Sequence, residues 1–274
     1  MEYVTLKNIN INNTLINYTF EKGNVYGIYS KDEKVREELL LVLNGINPNN
    51  GIVLQNSKNV FDYKYFFLQR IYIDFSETYL KTLKSPIIKE TFINKYQIPF
   101  DEKTFDSYIK VLGARNEAVV TSEYKFSKLG TTLVNFALLK SLTISSYTVN
   151  NPTINLSNQS MIDLFVRELT KKNSYDTIIF GLNKISDFQR PDGKNVLDKI
   201  IILSDYNSYY VINPIIDSFL IIEDNVFLHN KLFKTKNNMV ICLNNFTKDE
   251  LKKFNANKIK YFKKTVFEIE QFME

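Results

Sequence analysis

Residues 23 to 45, GNVYGIYSKDEKVREELLLVLNG, place a short apolar run, a polar bend and a helical pattern in the order that builds a phosphate-binding loop. Val25, Tyr26 and Ile28 suit a buried strand. Val35, Leu39, Val42 and Leu43 recur at i, i+4, i+7 and i+8, the period of one helix face. In a working loop of this kind, backbone N–H groups at the helix N-terminus cradle phosphates, a lysine reaches the outer phosphates and a serine or threonine holds magnesium. The bend here reads Ser30, Lys31, Asp32, Glu33, Lys34, Val35, Arg36, Glu37 and Glu38. It has no glycine, so side chains stand where phosphate would approach backbone. Lys31 to Glu38 holds three basic and four acidic residues, a net charge of −1. One unit charge opposing another at about 4 Å costs roughly 4 kcal/mol at an effective dielectric of 20. A carboxylate at a helix N-terminus is itself favoured by the dipole, so Asp32 and Glu33 are expected to fill the niche of a phosphate. The loop reads as closed by its own side chains.

Other chemistries are poorly supplied. One histidine, His229, and one cysteine, Cys242, leave too few ligands for a zinc site and no Ser/His/Asp arrangement, and no metal site is expected. Cys242 lies in the apolar run NMVICLNN and can form no intrachain disulfide, which fits a reducing compartment. The net charge of +5 comes from interspersed Lys and Glu without a basic cluster, so no nucleic-acid partner is expected. The opening MEYVTLKN is not a leader pattern and no apolar run reaches the length of a membrane span. With 274 residues and 44% hydrophobic content, the chain can hold one α/β domain with a sizeable core and a small accessory piece.

The elements that must position the loop follow in order. Residues 3 to 20 alternate as an antiparallel hairpin, and NGINPNNG is a turn before a strand over 51 to 55. Tyr65 to Tyr72 is an apolar strand carrying Gln69. Residues 75 to 112 read as successive helices with Tyr79, Phe92, Tyr96, Phe105 and Tyr108 among their apolar positions. Ser127 in FSKLG is placed to cap a helix in which Leu133, Phe136, Ala137 and Lys140 share a face. Met161 to Leu169 has a helical pattern, and 177 to 181 and 197 to 203 are strands. Short strands at 209 to 219, 219 to 228 and 239 to 243 precede a helix-like TKDELKKF, with a break at Asn213-Pro214.

In this order of motifs the chain resembles the nucleotide-binding subunit of ATP-binding cassette (ABC) transporters. The family's Gly-Lys-Ser-Thr ending falls on the bend, with the Lys position on Arg36 and the Ser position on Glu37. Gln69 stands for the glutamine that contacts magnesium and water, and FSKLG for Leu-Ser-Gly-Gly-Gln, keeping only Ser127 in place, with Lys128 and Leu129 at the glycines. Without a gap from there, NNPT stands for Asp-Glu-Pro-Thr, so Asn150 replaces the magnesium-linked aspartate and Asn151 the general base. Asn183 falls at the switch histidine. An amide neither carries charge for magnesium nor accepts a proton near neutral pH. No replacement is evident for the aromatic residue that stacks on adenine, unless Tyr18 serves.

The resemblance implies an α/β fold of P-loop NTPase type, a sheet flanked by helices, over residues 1–205. It implies a helical subdomain at about 75–145 and leaves 206–274 as a small α/β C-terminal extension. It implies a degenerate transporter subunit, a pseudo-ATPase on the inner face of the cell membrane. Such a subunit docks on an integral membrane permease and pairs with an active ATPase subunit or with a second copy. No confident catalytic residue remains; Asn150, Asn151 and Asn183 are degenerate positions, and Ser30, Arg36, Glu37, Gln69, Ser127 and Gly130 are degenerate nucleotide-binding ones. No cofactor is expected. Two readings stay open beside it: an atypical active ATPase, which alone would require ATP and magnesium, and a regulatory scaffold with no transport role.

Overall fold

The structure, a computed structural model, describes residues 1–47, 50–62, 71–120, 124–144, 146–189, 195–223, 231–234, 238–242, 249, 252 and 261–269. The chain opens with the expected hairpin, β1 (Glu2–Ile11) and β2 (Thr14–Glu21), turned through Asn12 and Asn13 at positive φ. The buried strand β3 (Val25–Ser30) then feeds α1 (Glu33–Leu43). Gly45, at φ +68°, ends α1 in the left-handed conformation that a following turn requires, and its N–H reaches the Val42 carbonyl. β4 (Ile52–Gln55) and β5 (Lys58–Asn59) join the hairpin in an antiparallel sheet of order β2-β1-β4-β5.

The second sheet contains β6 (Ile71–Asp74), β9 (Tyr147–Asn150), β10 (Ile178–Leu182), β11 (Lys199–Leu203) and β12 (Tyr209–Ile212) in the order β12-β11-β3-β10-β9-β6. All neighbours are parallel except the edge pair β11 and β12. Between β6 and β9 lie α2 (Ser85–Thr91), a π-helical turn over Phe92–Tyr96, α3 (Glu102–Val111), the ribbon β7 (Ala118–Val120) with β8 (Tyr124–Phe126), and α4 (Lys128–Ser141). α5 (Gln159–Leu169), capped by Asn158, joins β9 to β10. Parallel strands demand such helical crossovers, which cover both faces of the sheet.

Alternation along the central strands divides the core. Tyr26, Ile28, Ile179 and Ile201 face Leu39, Leu40 and Leu43 of α1 and the buried face of the first sheet. Val25, Phe180 and Ile202 belong to a larger cluster with Phe105, Phe136 and Phe165 of the helices. Phe136 and Phe165 stack with centroids 4.0 Å apart.

Three expectations require correction. The helices of the 75–112 segment begin at Ser85, not Phe75. Asp74 Oδ1 accepts from both Ser76 N and Ser76 Oγ, a local turn that ends β6, and Pro86 sets the start of α2. Second, the main sheet runs past 205: β12 pairs antiparallel with β11, and the chain leaves only at Asn213-Pro214. Third, the strands read at 209 to 219 and 219 to 228 have other bounds. β13 (Phe219–Glu223), β14 (Lys231–Lys234), β15 (Asn238–Cys242) and β16 (Tyr261–Lys264) form an antiparallel sheet of order β14-β15-β13-β16. Its Phe219, Ile221 and Val240, with Val266 and Ile269, are buried in the same cluster as the large helices, so hydrophobic burial fuses it to the main domain. Most of TKDELKKF lies outside the described residues; Asp249 and Lys252 within it are helical.

Candidate functional site

β3 ends at Ser30 and α1 starts at Glu33, so only Lys31 and Asp32 separate strand from helix. Two residues cannot wrap a phosphate in backbone N–H groups. Asp32 instead caps α1, its carboxylate accepting from Lys34 N at 2.9 Å. The niche at the helix N-terminus is filled from within the chain, as the charge pattern predicts.

One turn along α1, Arg36 is 2% exposed and its guanidinium is shared among four acceptors. Nε donates to Asn150 Oδ1 at 3.1 Å and Nη1 to the Leu182 carbonyl at 2.6 Å. Nη2 donates to Asn151 Oδ1 at 2.5 Å and to Glu33 Oε1 at 2.9 Å. The two amides are thereby oriented, oxygens toward Arg36 and Nδ2 groups toward Asp74, which accepts from Asn150 at 2.6 Å and from Asn151 at 3.3 Å. Gly181 makes this possible. A Cβ there would lie 2.3 Å from Asn150 Oδ1 and 2.4 Å from a Leu40 methyl, so no larger residue fits without moving the network. Asn151 itself sits at φ +53°, a conformation asparagine tolerates better than most residues.

Burial lowers the Arg36 pKa, and the Glu33 and Asp74 carboxylates oppose that shift. A guanidinium keeps its proton in such a setting. Glu37, the next residue, has its pKa raised by burial first and then by Asp74, Glu33 and Glu77. A carboxyl surrounded by three others is a poor stand-in for a neutral hydroxyl on magnesium.

The sequence-derived positions thus fall into separate groups. Arg36, Asn150 and Asn151 come together, with Glu37 adjacent and Ser30 buried at the end of β3. Asn183 follows β10, where its Oδ1 lies 3.2 Å from the Thr153 hydroxyl; that hydroxyl donates to Asp187 Oδ2 at 2.6 Å. Gln69 lies outside the described residues. The end of the strand beside β9 carries Asp74, in register with Asn150, and this residue was not singled out from the sequence. Its acidic character two residues before Ser76 in DFSETY was the available signal.

Ser127 and Gly130 stand at the N-terminus of α4. Ser127 Oγ accepts from Gly130 N at 2.9 Å, the cap read from the sequence, and donates to Glu117 Oε2 at 2.5 Å. A Cβ at Gly130 would meet Glu117 at 2.7 Å, so close packing accounts for the glycine. Tyr18 packs edge-on against Phe20 and Tyr26 in the first sheet rather than offering a flat face.

No protein-family model matches the chain, and no curated protein matches it either. Solved structures do share its fold. CbiO1 from Clostridium perfringens, part of the ABC transporter complex cbiONQ, superposes with a TM-score of 0.53 at 15% identity, over 78% of this chain and 90% of that one. A metal-chelate type ABC transporter in an inward-facing conformation gives a TM-score of 0.54 at 12% identity, over 89% of this chain and 97% of that one. The chain therefore has the α/β fold of ABC transporter ATPase subunits. Among the described residues no helix is long and apolar enough to cross a membrane.

Proposed function

We propose that the protein is a degenerate ABC-type subunit that acts by binding partners and not by hydrolysing ATP. The observation that carries this reading is the state of Arg36. The residue at the phosphate-binding position is buried and its guanidinium is held by Glu33, Asn150, Asn151 and the Leu182 carbonyl. Asn150 and Asn151, where the ABC fold carries its magnesium-linked acid and general base, accept from that guanidinium and donate to Asp74. A nucleotide would have to break this network, displace the carboxylates around it and do so without a glycine-rich cradle.

Such a subunit supports transport through its surfaces. On the helical segment Ile87, Ile93, Tyr79 and Tyr96 are between 42% and 48% exposed, whereas Phe92 and Phe105 are buried. An open groove of about 500 Å³ is lined by Ile87 with Leu83, Lys84, Ser85, Pro86, Asp106 and Arg115. The exposed apolar residues of this segment favour docking on a membrane permease, with an active ATPase subunit or a second copy as the other partner, at the inner face of the membrane. Isothermal calorimetry with MgATP tests the closed site: no heat of binding is expected at millimolar nucleotide. A magnesium-dependent dissociation constant near 1 μM, about −8 kcal/mol, would overturn the reading. Pull-down from membranes with mass identification tests the docking role, and recovery of soluble proteins alone counts against it.

A further inference from the structure

The Arg36 network does not stop at Asp74. The Asp74 N–H donates to the Tyr79 hydroxyl at 3.0 Å, and Asp74 Oδ1 holds both the amide and the hydroxyl of Ser76. Asn135, 1% exposed on α4, donates its amide to the Asp74 carbonyl at 3.2 Å and to the Glu77 carbonyl at 2.7 Å. Farther toward the start of the same helix, Thr132 donates to the Ile154 carbonyl at 2.9 Å and Asn155 donates to the Lys128 carbonyl at 3.3 Å, tying α4 to the turn after β9. A continuous chain of hydrogen bonds thus runs from α1 through the ends of β9 and β6 to residues 76–79, where the chain enters the helical segment, and on to α4.

We infer that Arg36 is a built-in cation that latches the helical segment to the sheet, so that α1, the 74–79 turn and α4 are held in one arrangement without any ligand. The physical argument is the sign and burial of the groups. The side chains of Arg36 and Asp74 are both buried, and each reaches the other through two amides whose oxygens can only accept and whose N–H groups can only donate. Removing the cation takes from Asn150 Oδ1 and Asn151 Oδ1 the donor that holds them, and the amides lose the interaction that points their nitrogens at Asp74. The 74–79 turn is then held only locally. This deepens the closed-site reading and rests on it, but the latch is read without nucleotide and is tested separately.

The test is amide hydrogen exchange on the intact chain without nucleotide. In Arg36→Met, the amides of Asp74, Ser76, Glu77 and Asn151 should exchange at least about tenfold faster, while those of Val4 and Phe20 in the first sheet change less than about twofold. Asn135→Leu, which strands no buried charge, breaks only the α4 end and is the second variant, should Arg36→Met fail to fold. It should accelerate Glu77 and Asp74 and leave Asn151 protected. Methylguanidinium at millimolar concentration should restore protection to Arg36→Ala, and tetramethylammonium should not. Acceleration spread evenly over the first sheet as well, or unchanged exchange at 74–77 in either folded variant, would overturn the latch. If MgATP binds the wild type while the Arg36→Met pattern is as expected, the closed-site reading fails and the latch stands.

Discussion

Arg36→Met is the most direct perturbation of the site, because it keeps side-chain length and removes the charge and four hydrogen bonds. Hydrogen bonds to a charged group are worth about 1.5–3 kcal/mol each, but these four share one guanidinium and cannot be added. The better measure is the cost of stranding the partner of a buried ion, about 3–5 kcal/mol. Asp74, 5% exposed, faces Arg36 only through the two amides, so this range is an upper bound. Set against a total stability of about 5–15 kcal/mol, the variant should fold but lose a large share of its margin. With a urea m-value of about 3 kcal/mol/M the midpoint falls by about 1–1.7 M. Asp74→Asn in the same background removes the stranded charge, so the double variant should be more stable than the sum of the single changes predicts. A loss below about 1 kcal/mol from Arg36→Met, or strict additivity, would mean that the guanidinium is loosely held and available to phosphate, which refutes the reasoning.

Three further outcomes follow from the same contacts. Ser127→Ala should lower stability by about 0.5–2 kcal/mol through loss of the α4 cap, with Ser127→Thr, which keeps a hydroxyl, recovering part of it in thermal melts. Glu37 has a raised pKa in the folded chain, so its protonation favours folding: that contribution is complete below the ordinary glutamate value of about 4.3 and is lost as pH rises through the raised one. Glu37→Gln should therefore melt higher than the wild type at pH 8 and no higher at pH 3.5. Asn151→Glu should release no phosphate from ATP above background, because the new carboxylate meets Arg36 rather than water; turnover in that single variant would show that nucleotide reaches the site.

Much of the scaffold was legible in local sequence. The period of Leu39, Val42 and Leu43 fixes the buried face of α1, and each of these side chains is buried. The serine of FSKLG caps α4 through an N–H three residues away, a geometry that depends on nothing distant. The apolar runs before Asn150 and Asn183 become β9 and β10, adjacent and parallel, as the spacing of a βαβ unit requires. Arg36, Glu37, Asn150 and Asn151 were singled out in the sequence by their places in the order of motifs.

What these residues contact was decided only by tertiary structure. Arg36 meets Asn150 and Asn151, 114 and 115 residues away, because sheet order brings α1 over the ends of β9 and β10. A long flexible side chain has no preferred partner in local sequence; packing selects it. Asp74 escaped notice for the same reason, since its role depends on the register Asp74 to Asn150 across two strands far apart in the chain. The expected boundary at 205 failed because a strand's membership in a sheet is set by which edge is free, and β11 left one for β12. Exposure followed a similar rule: Phe92 and Tyr96 lie four residues apart on one helical turn, yet Phe92 joins the core, where Phe100 stacks on it, and Tyr96 stays at the surface.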